Sequence, residues 1–414
     1  MKSIRLIALL STFVFVLVAP LTALADHEPG HMEVNAKNEE TNGNQQVKDK
    51  EKASSVDIAP NAKSALLIDA DTGTVIYEKN SNERLAPASI TKVMTMLLIM
   101  ESLERGEIKL EEKVTVSEHA ASMGGSQIFL QVGEEMSVED LLKGIAMASA
   151  NDASVALAEK ITGSEEMFIE RMNERAEQLG LKNTHFVNTN GLPAKDHYSS
   201  AHDIAMMSKE LLKHPSITQY TGKYQDYLRN DTENPFWLVN TNKLVRFYQG
   251  ADGLKTGYTS EAKFCLTATA IKDSFRVIAV VLGEPNTKTR NAEVSQLFNY
   301  AFSQFTNMPI YQAGEKMGTV KVEKGDVEQV QLTAKHRYSI LLKKGEKKDD
   351  IRHEVKFRSE LKAPIAIGES IGKLTVYKGD TPVAEFTVES PIEVKQASWW
   401  TLMKRTTSKL FFLD

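Results

Sequence analysis

Hydrophobic and polar positions divide this 414-residue chain into five zones. Residues 1–25 open with Lys2 and Arg5, run apolar from Leu6 to Val18, and reach Ala23-Leu24-Ala25 before Asp26. That order predicts a cleaved export leader rather than a retained anchor or a buried helix. Residues 26–56 are rich in Glu, Asn, Lys and Gln and nearly free of apolar side chains, which predicts an unstructured spacer.

The third zone, 57–307, begins and ends in strands around a helical middle. Ser64–Ile68 and Thr74–Tyr77 read as a hairpin turned at Asp69–Gly73. Thr91–Leu103 reads as an apolar helix, followed by Val138–Ile161 and Glu165–Leu179; Ser200-Ala201-His202-Asp203 reads as a capping box opening a helix to Leu212. Strand character returns at Gly253–Tyr258, Phe264–Ile271 and Phe275–Leu282, and a helix from Asn291 to Phe305 closes the zone. The pattern predicts an α+β domain whose first and last strands share one antiparallel sheet. From 308 to 394, six short strands at regular spacing predict a small all-β sandwich domain. In 395–414, Trp399, Leu402, Met403, Leu410 and Leu413 fall on one helical side and Lys404, Arg405 and Ser408 on the other. This segment is too short and too charged to span a bilayer. It fits an amphipathic helix lying on a membrane surface, the alternative being a helix docked on the β domain.

Composition narrows the chemistry. A net charge of -5 without a basic block gives no sign of nucleic acid binding. The single cysteine, Cys265, excludes an intramolecular disulfide and sits in an apolar run, as a buried side chain would. No cofactor or metal is expected.

Three short elements carry the chemistry: Ser89-Ile90-Thr91-Lys92, Ser149-Ala150-Asn151 and Lys255-Thr256-Gly257. An S-x-x-K also occurs at Ser260, Ser359 and Ser370. Only Ser89 has Pro87 just before it and an apolar helix just behind it. A serine hydroxyl needs a neighbouring base to become a nucleophile. Lys92, one turn on, supplies an amine whose pKa falls in a dry site near another cation. Ser149 is placed to relay a proton, and Asn151 to hold a substrate amide or the lysine. Lys255 adds a cation, Thr256 a hydroxyl, and Gly257 room for close approach.

In this order the elements resemble those of penicillin-binding proteins and serine β-lactamases. With Ser-Ala-Asn in the middle they resemble the low-molecular-mass D,D-carboxypeptidases (peptidase family S11), and among these the sporulation-associated enzymes of Bacillus-like bacteria. Arg84–Ser89, Gly124-Gly125-Ser126, His197–Ser200 and Asp252–Thr259 are similar as well. The resemblance implies a β-lactamase-type transpeptidase fold and removal of the terminal D-alanine from peptidoglycan stem pentapeptides. It implies an acyl-enzyme on Ser89 with Lys92 as base, and an oxyanion hole of the Ser89 and Tyr258 N–H groups. It gives the terminal carboxylate to Lys255, Thr256 and Arg290, although Arg290 also fits an exposed helix-start arginine. It implies β-lactams as covalent ligands and the outer face of the cytoplasmic membrane as the location. Tyr258 stands where enteric relatives carry histidine. A class A-like β-lactamase, a D,D-endopeptidase and an inactive peptidoglycan-binding scaffold are the competing readings. The first lacks an E-x-x-L-N segment between Asn151 and Lys255.

Overall fold

The computed structural model describes residues 57–411 other than 231 and 359. The leader and spacer at 1–56, Ser359 of one S-x-x-K, and Phe412, Leu413 and Asp414 lie outside the described residues, as do the side chains of 408–411.

Strands β1 (Ser64–Asp69) and β2 (Val75–Lys79) form the expected hairpin. Helix α1 (Lys92–Glu104) follows a 3-10 turn at Ala88–Thr91. The short pair β3 (Lys113–Thr115) and β4 (Glu135–Ser137) flanks α2 (Glu118–Ala121). The stretch read as one helix from Val138 is three elements: α3 (Val138–Lys143), a π-turn at Gly144–Ala148, and α4 (Asn151–Thr162) beyond a left-handed Ser149. Next come α5 (Glu165–Gln178), α6 (Ala201–Leu211) and α7 (Thr218–Thr221). A second small hairpin, β5 (Gln225–Leu228) and β6 (Phe236–Val239), precedes α8 (Leu244–Phe247). Long strands β7 (Ala251–Thr259), β8 (Lys263–Lys272) and β9 (Phe275–Glu284) lead into α9 (Thr287–Gln304).

The main sheet runs β2-β1-β9-β8-β7, all antiparallel, so the first and last strands of the domain do share it through β1 and β9. Period-2 alternation sends successive side chains to opposite faces. In β9, Ile278, Val280 and Leu282 pack toward the helical layer of α1, α4, α5 and α6, and Val277, Ala279 and Val281 pack toward α9. Both faces are covered, which is why these strands read as continuous apolar runs. Helix α1 is buried on nearly every side, from Lys92 through Met100. Side chains such as Met94, Leu97 and Ile99 contribute about 1.5–3 kcal/mol each. Cys265 is buried, as expected, and burial pushes its thiol up to about 11.

Two expectations about helix starts change. Helix α9 begins four residues before Asn291, capped by the Asn286 side chain. Ser200 caps α6, but the box is not reciprocal: Asp203 turns away and accepts from the Asn183 N–H and the Thr184 hydroxyl.

Buried carboxyls tie the N-terminal segment down. Glu293 accepts from the Asn61 and Ala62 N–H groups and from the Asn61 side chain. Burial and the adjacent Glu293 push Glu284 up to about 8. It is therefore neutral at pH 7. Between pH 4.5 and 8 the unfolded chain releases a proton that the folded chain keeps, so this group's stabilisation is present at low pH and is lost as pH rises. Glu284→Gln keeps a donor without the titration. Its thermal stability relative to wild type is expected to rise on the order of 2 kcal/mol between pH 5 and 7, read from melting curves at each pH.

The all-β region contains β10 (Phe305–Tyr311) paired with β13 (Tyr338–Lys343), β11 (Lys316–Lys321) paired with β12 (Gln329–Thr333), and a β14 (Ile351–Phe357), β15 (Ser370–Lys378), β16 (Thr381–Glu389) sheet. Strand β10 starts directly at the end of α9 and runs through position 308, earlier than the change of texture suggests. Asp71, in the β1–β2 turn, accepts from Ser339 and Asn307 and pairs with Arg337 at 3.8 Å, linking the two regions.

Helix α10 (Trp399–Phe411) forms within the predicted amphipathic segment. Arg405 is not a free cation on its polar side. It donates to the carbonyls of Gly325 and Asp326 and pairs with Glu328 at 3.0 Å. Trp399 (67% exposed), Trp400 and Met403 face solvent. No described helix is long and apolar enough to cross a membrane.

Candidate active site

The turn carrying Ser89 is tight because Pro87 precedes it and Ala88 adopts φ +48°, a conformation that residues with a Cβ rarely take. Ser89 therefore sits on a 3-10 turn that leads directly into α1, ahead of the helix as the sequence suggests. In 3-10 geometry residues three apart eclipse, so Lys92 stacks directly on Ser89. The Lys92 Nζ lies 3.3 Å from Ser89 Oγ, 2.7 Å from Asn151 Oδ1 and 2.6 Å from the Asn190 carbonyl. Lys92 is fully buried. Burial first, then repulsion from Lys255, holds its amine well below the usual lysine range; Asp152 opposes this in part.

Burial separates this S-x-x-K from its copies. The corresponding lysines Lys263 and Lys373 are exposed, and Lys373 pairs with Glu385.

Ser149 ends the π-turn at φ +64°, with its Oγ buried and unpartnered among the described residues. Asn151 opens α4; its amide donates to the Gly124 carbonyl, and its backbone N–H donates to Ser126. Asp152 accepts from the N–H groups of Ile128 and Leu130, pulling the 124–130 loop onto the site.

Edge strand β7 forms the opposite wall. A Cβ on Gly257 would lie 3.0 Å from the Pro87 carbonyl oxygen and 3.2 Å from the Ala88 Cβ, so glycine is what lets the nucleophile's turn approach the strand. Thr256 donates to Thr241 at 2.8 Å, and the Thr241 N–H donates to the Met147 carbonyl at 3.1 Å, joining β7 to the π-turn before Ser149. Lys255 is buried, and its Nζ donates to the Thr256 carbonyl. Burial and the nearby Arg290 bring Lys255 down to about 7. Arg290 is not the exposed helix-start residue of the alternative reading. It is 4% exposed, donates to Asn291 Oδ1, and is pushed down to about 10 by burial. Buried cations grouped in this way are costly unless an anion joins them. The Tyr258 ring is exposed and packs on Phe264 at 4.4 Å.

Eight of the nine residues singled out in the sequence lie on the Ser89 turn, α1, the segment from Ser149 into α4, and β7; the ninth, Arg290, is on α9, near enough to Lys255 to lower its pKa. Sequence reasoning missed the Asn190 carbonyl, Thr241 and the loop-holding role of Asp152. A backbone acceptor leaves no residue signature, and a threonine 14 positions before a K-T-G has no fixed-spacing signal.

Comparison with known proteins gives the family. A family model described as D-alanyl-D-alanine carboxypeptidase matches residues 49–286, and one described as penicillin-binding protein 5, C-terminal domain, matches 305–396. The D-alanyl-D-alanine carboxypeptidase DacF of Bacillus subtilis is 55% identical over 84% of this chain and 90% of its own. DacD of Escherichia coli, which carries the same description, is 34% identical over 82% and 88%. Penicillin binding protein 5 from Haemophilus influenzae superposes with a TM-score of 0.64 at 31% identity, over 81% of this chain and 98% of that one. Penicillin binding protein 6B from E. coli gives 0.61 at 30%, over 79% and 95%. The matched regions contain both walls of the cleft and the β strands beyond them, and the chain belongs to the D-alanyl-D-alanine carboxypeptidase family (peptidase family S11) of penicillin-binding proteins.

Proposed function

We propose that the protein removes the terminal D-alanine of peptidoglycan stem pentapeptides through an acyl-enzyme on Ser89. The observation that carries this reading is the fully buried Lys92 amine beside Ser89, with buried Lys255 on the facing strand β7. Neutral Lys92 takes the Ser89 proton as Oγ attacks the D-Ala–D-Ala amide carbonyl. The oxyanion is received by the N–H groups of Ser89 and Tyr258. Ser149, whose hydroxyl is free to receive a partner, passes the proton to the departing amine. Asn151 holds Lys92 and the substrate amide. Lys255, Thr256 and Arg290 hold the terminal carboxylate, and Gly257 leaves room for the peptide. Water then hydrolyses the ester and frees the tetrapeptide. A β-lactam acylates Ser89 because its ring amide offers the same carbonyl.

The test is stoichiometric labelling. Incubation with penicillin should add one drug mass to the peptide containing Ser89, and that adduct should block D-alanine release from a pentapeptide. An adduct on another residue, or release that persists in the labelled protein, defeats the reading.

The protein acts outside the cytoplasmic membrane, held there by α10. Exposed Trp399, Trp400 and Met403 support this reading, because Arg405 fixes the helix on the β region with its aromatic edge outward. Removing 396–414 is expected to shift the protein from the membrane to the soluble fraction in a sedimentation assay. An unchanged partition would show that the helix is not the tether.

A further inference from the structure

We propose that His197 is a positioning residue: through Thr91 and the Ala88 carbonyl, it sets the direction of the Ser89 N–H that receives the oxyanion. This rests on the reading of Ser89 as the nucleophile.

One line of hydrogen bonds runs from Val187 through His197 and Thr91 to Ala88. The Val187 N–H donates to His197 Nδ1 at 3.0 Å. A backbone N–H can only donate, so Nδ1 is an acceptor and the neutral ring carries its proton on Nε2. That Nε2 lies 2.7 Å from Thr91 Oγ1, so the imidazole donates to the hydroxyl. The hydroxyl proton then points elsewhere, and the Ala88 carbonyl oxygen is 2.9 Å away. Each proton in the series has one direction left to it. His197 and Thr91 are 7% and 1% exposed, so water competes little for these bonds. The Phe186 ring covers the imidazole edge-to-face at 5.9 Å.

The last link is covalent. The Ala88 carbonyl and the Ser89 N–H belong to one planar peptide unit and point in opposite directions. Whatever fixes the carbonyl fixes the N–H. This peptide needs fixing, because Ala88 is held at φ +48° without the freedom of a glycine. The Gly191 backbone closes the other side of the same carbonyl oxygen, where a Cβ would come within 1.9 Å. His197 itself touches neither Ser89 nor Lys92 in any described hydrogen bond.

The experiment compares His197→Ala, His197→Gln, Thr91→Val and the His197→Ala/Thr91→Val pair. It measures Ser89 acylation by a fluorescent penicillin, kcat and KM on a pentapeptide, and thermal melting. Removing the imidazole is expected to lower acylation and kcat about 10- to 100-fold, short of losing an oxyanion donor outright. KM should stay within about twofold, because the carboxylate-binding wall is untouched. His197→Gln, whose amide can both accept from Val187 and donate to Thr91, should recover activity to within about threefold of wild type. The double variant should be no slower than the slower single one, since both cut the same line.

Wild-type acylation in a folded His197→Ala or in Thr91→Val overturns the proposal, as do losses that multiply in the pair or a change confined to KM. If His197→Ala does not fold, Thr91→Val and His197→Gln still decide. Failure of the underlying reading is separate: wild-type protein would then carry no penicillin on Ser89.

Discussion

Lys92→Met is expected to slow acylation of Ser89 by about 10³-fold while leaving the fold intact. The side chains are similar in length, and the buried site loses a poorly solvated amine rather than a packing group. What disappears is the acceptor for the Ser89 proton, 3.3 Å from the hydroxyl. Because burial and Lys255 hold the Lys92 pKa down, the amine is neutral at a lower pH than an exposed lysine, and the reaction runs without strong alkali. The sign on the other wall is opposite. Lys255 must be charged to meet a carboxylate, and burial and Arg290 bring its pKa down to about 7. The kcat/KM of wild type should therefore rise with pH as Lys92 is deprotonated and fall as Lys255 is. Stopped-flow acylation measured as a function of pH reads both limbs. Residual acylation within tenfold of wild type in Lys92→Met would remove Lys92 from the role of base.

Gly191→Ala is expected to reduce activity below about 1% of wild type and to cost about 3 kcal/mol or more of stability. Gly191 has φ +86°, and its added Cβ would lie 1.9 Å from the Ala88 carbonyl oxygen and 2.9 Å from the Ser89 nitrogen. Those are backbone atoms of the nucleophile's own turn, so relief requires moving Ser89. Gly106→Ala is the control. Its φ is +72° and nothing lies within 4 Å, so only the conformational cost of about 1 kcal/mol applies, with activity unchanged. Equal activity in the two variants would show that close contact at Gly191 does not govern the site.

Much of this was legible in the residues. The five-stranded sheet appears as apolar runs with turn signals between them, and the three motifs name both walls of the cleft. The small hairpins β3–β4 and β5–β6 were not legible, being three or four residues per strand. The 3-10 turn at Ser89 and the π-turn before Ser149 were hidden too, because hydrophobic periodicity does not separate such turns from an α-helix. Lys92, Lys263 and Lys373 look alike on paper; only packing shows that the first is dry. The amphipathic pattern of α10 does not reveal that Arg405 spends its charge on two carbonyls and Glu328, partners some 80 positions away in sequence.

The K-T-G strand is the last in its sheet, and no described strand pairs with its outer side. An edge strand offers backbone donors and acceptors to any extended chain laid beside it. A peptide laid along β7 next to Ser89 would become, for the lifetime of the complex, the outermost member of the sheet. Recognition would then fall mainly on main-chain shape, which tolerates variety in side chains but demands that the guest lie straight.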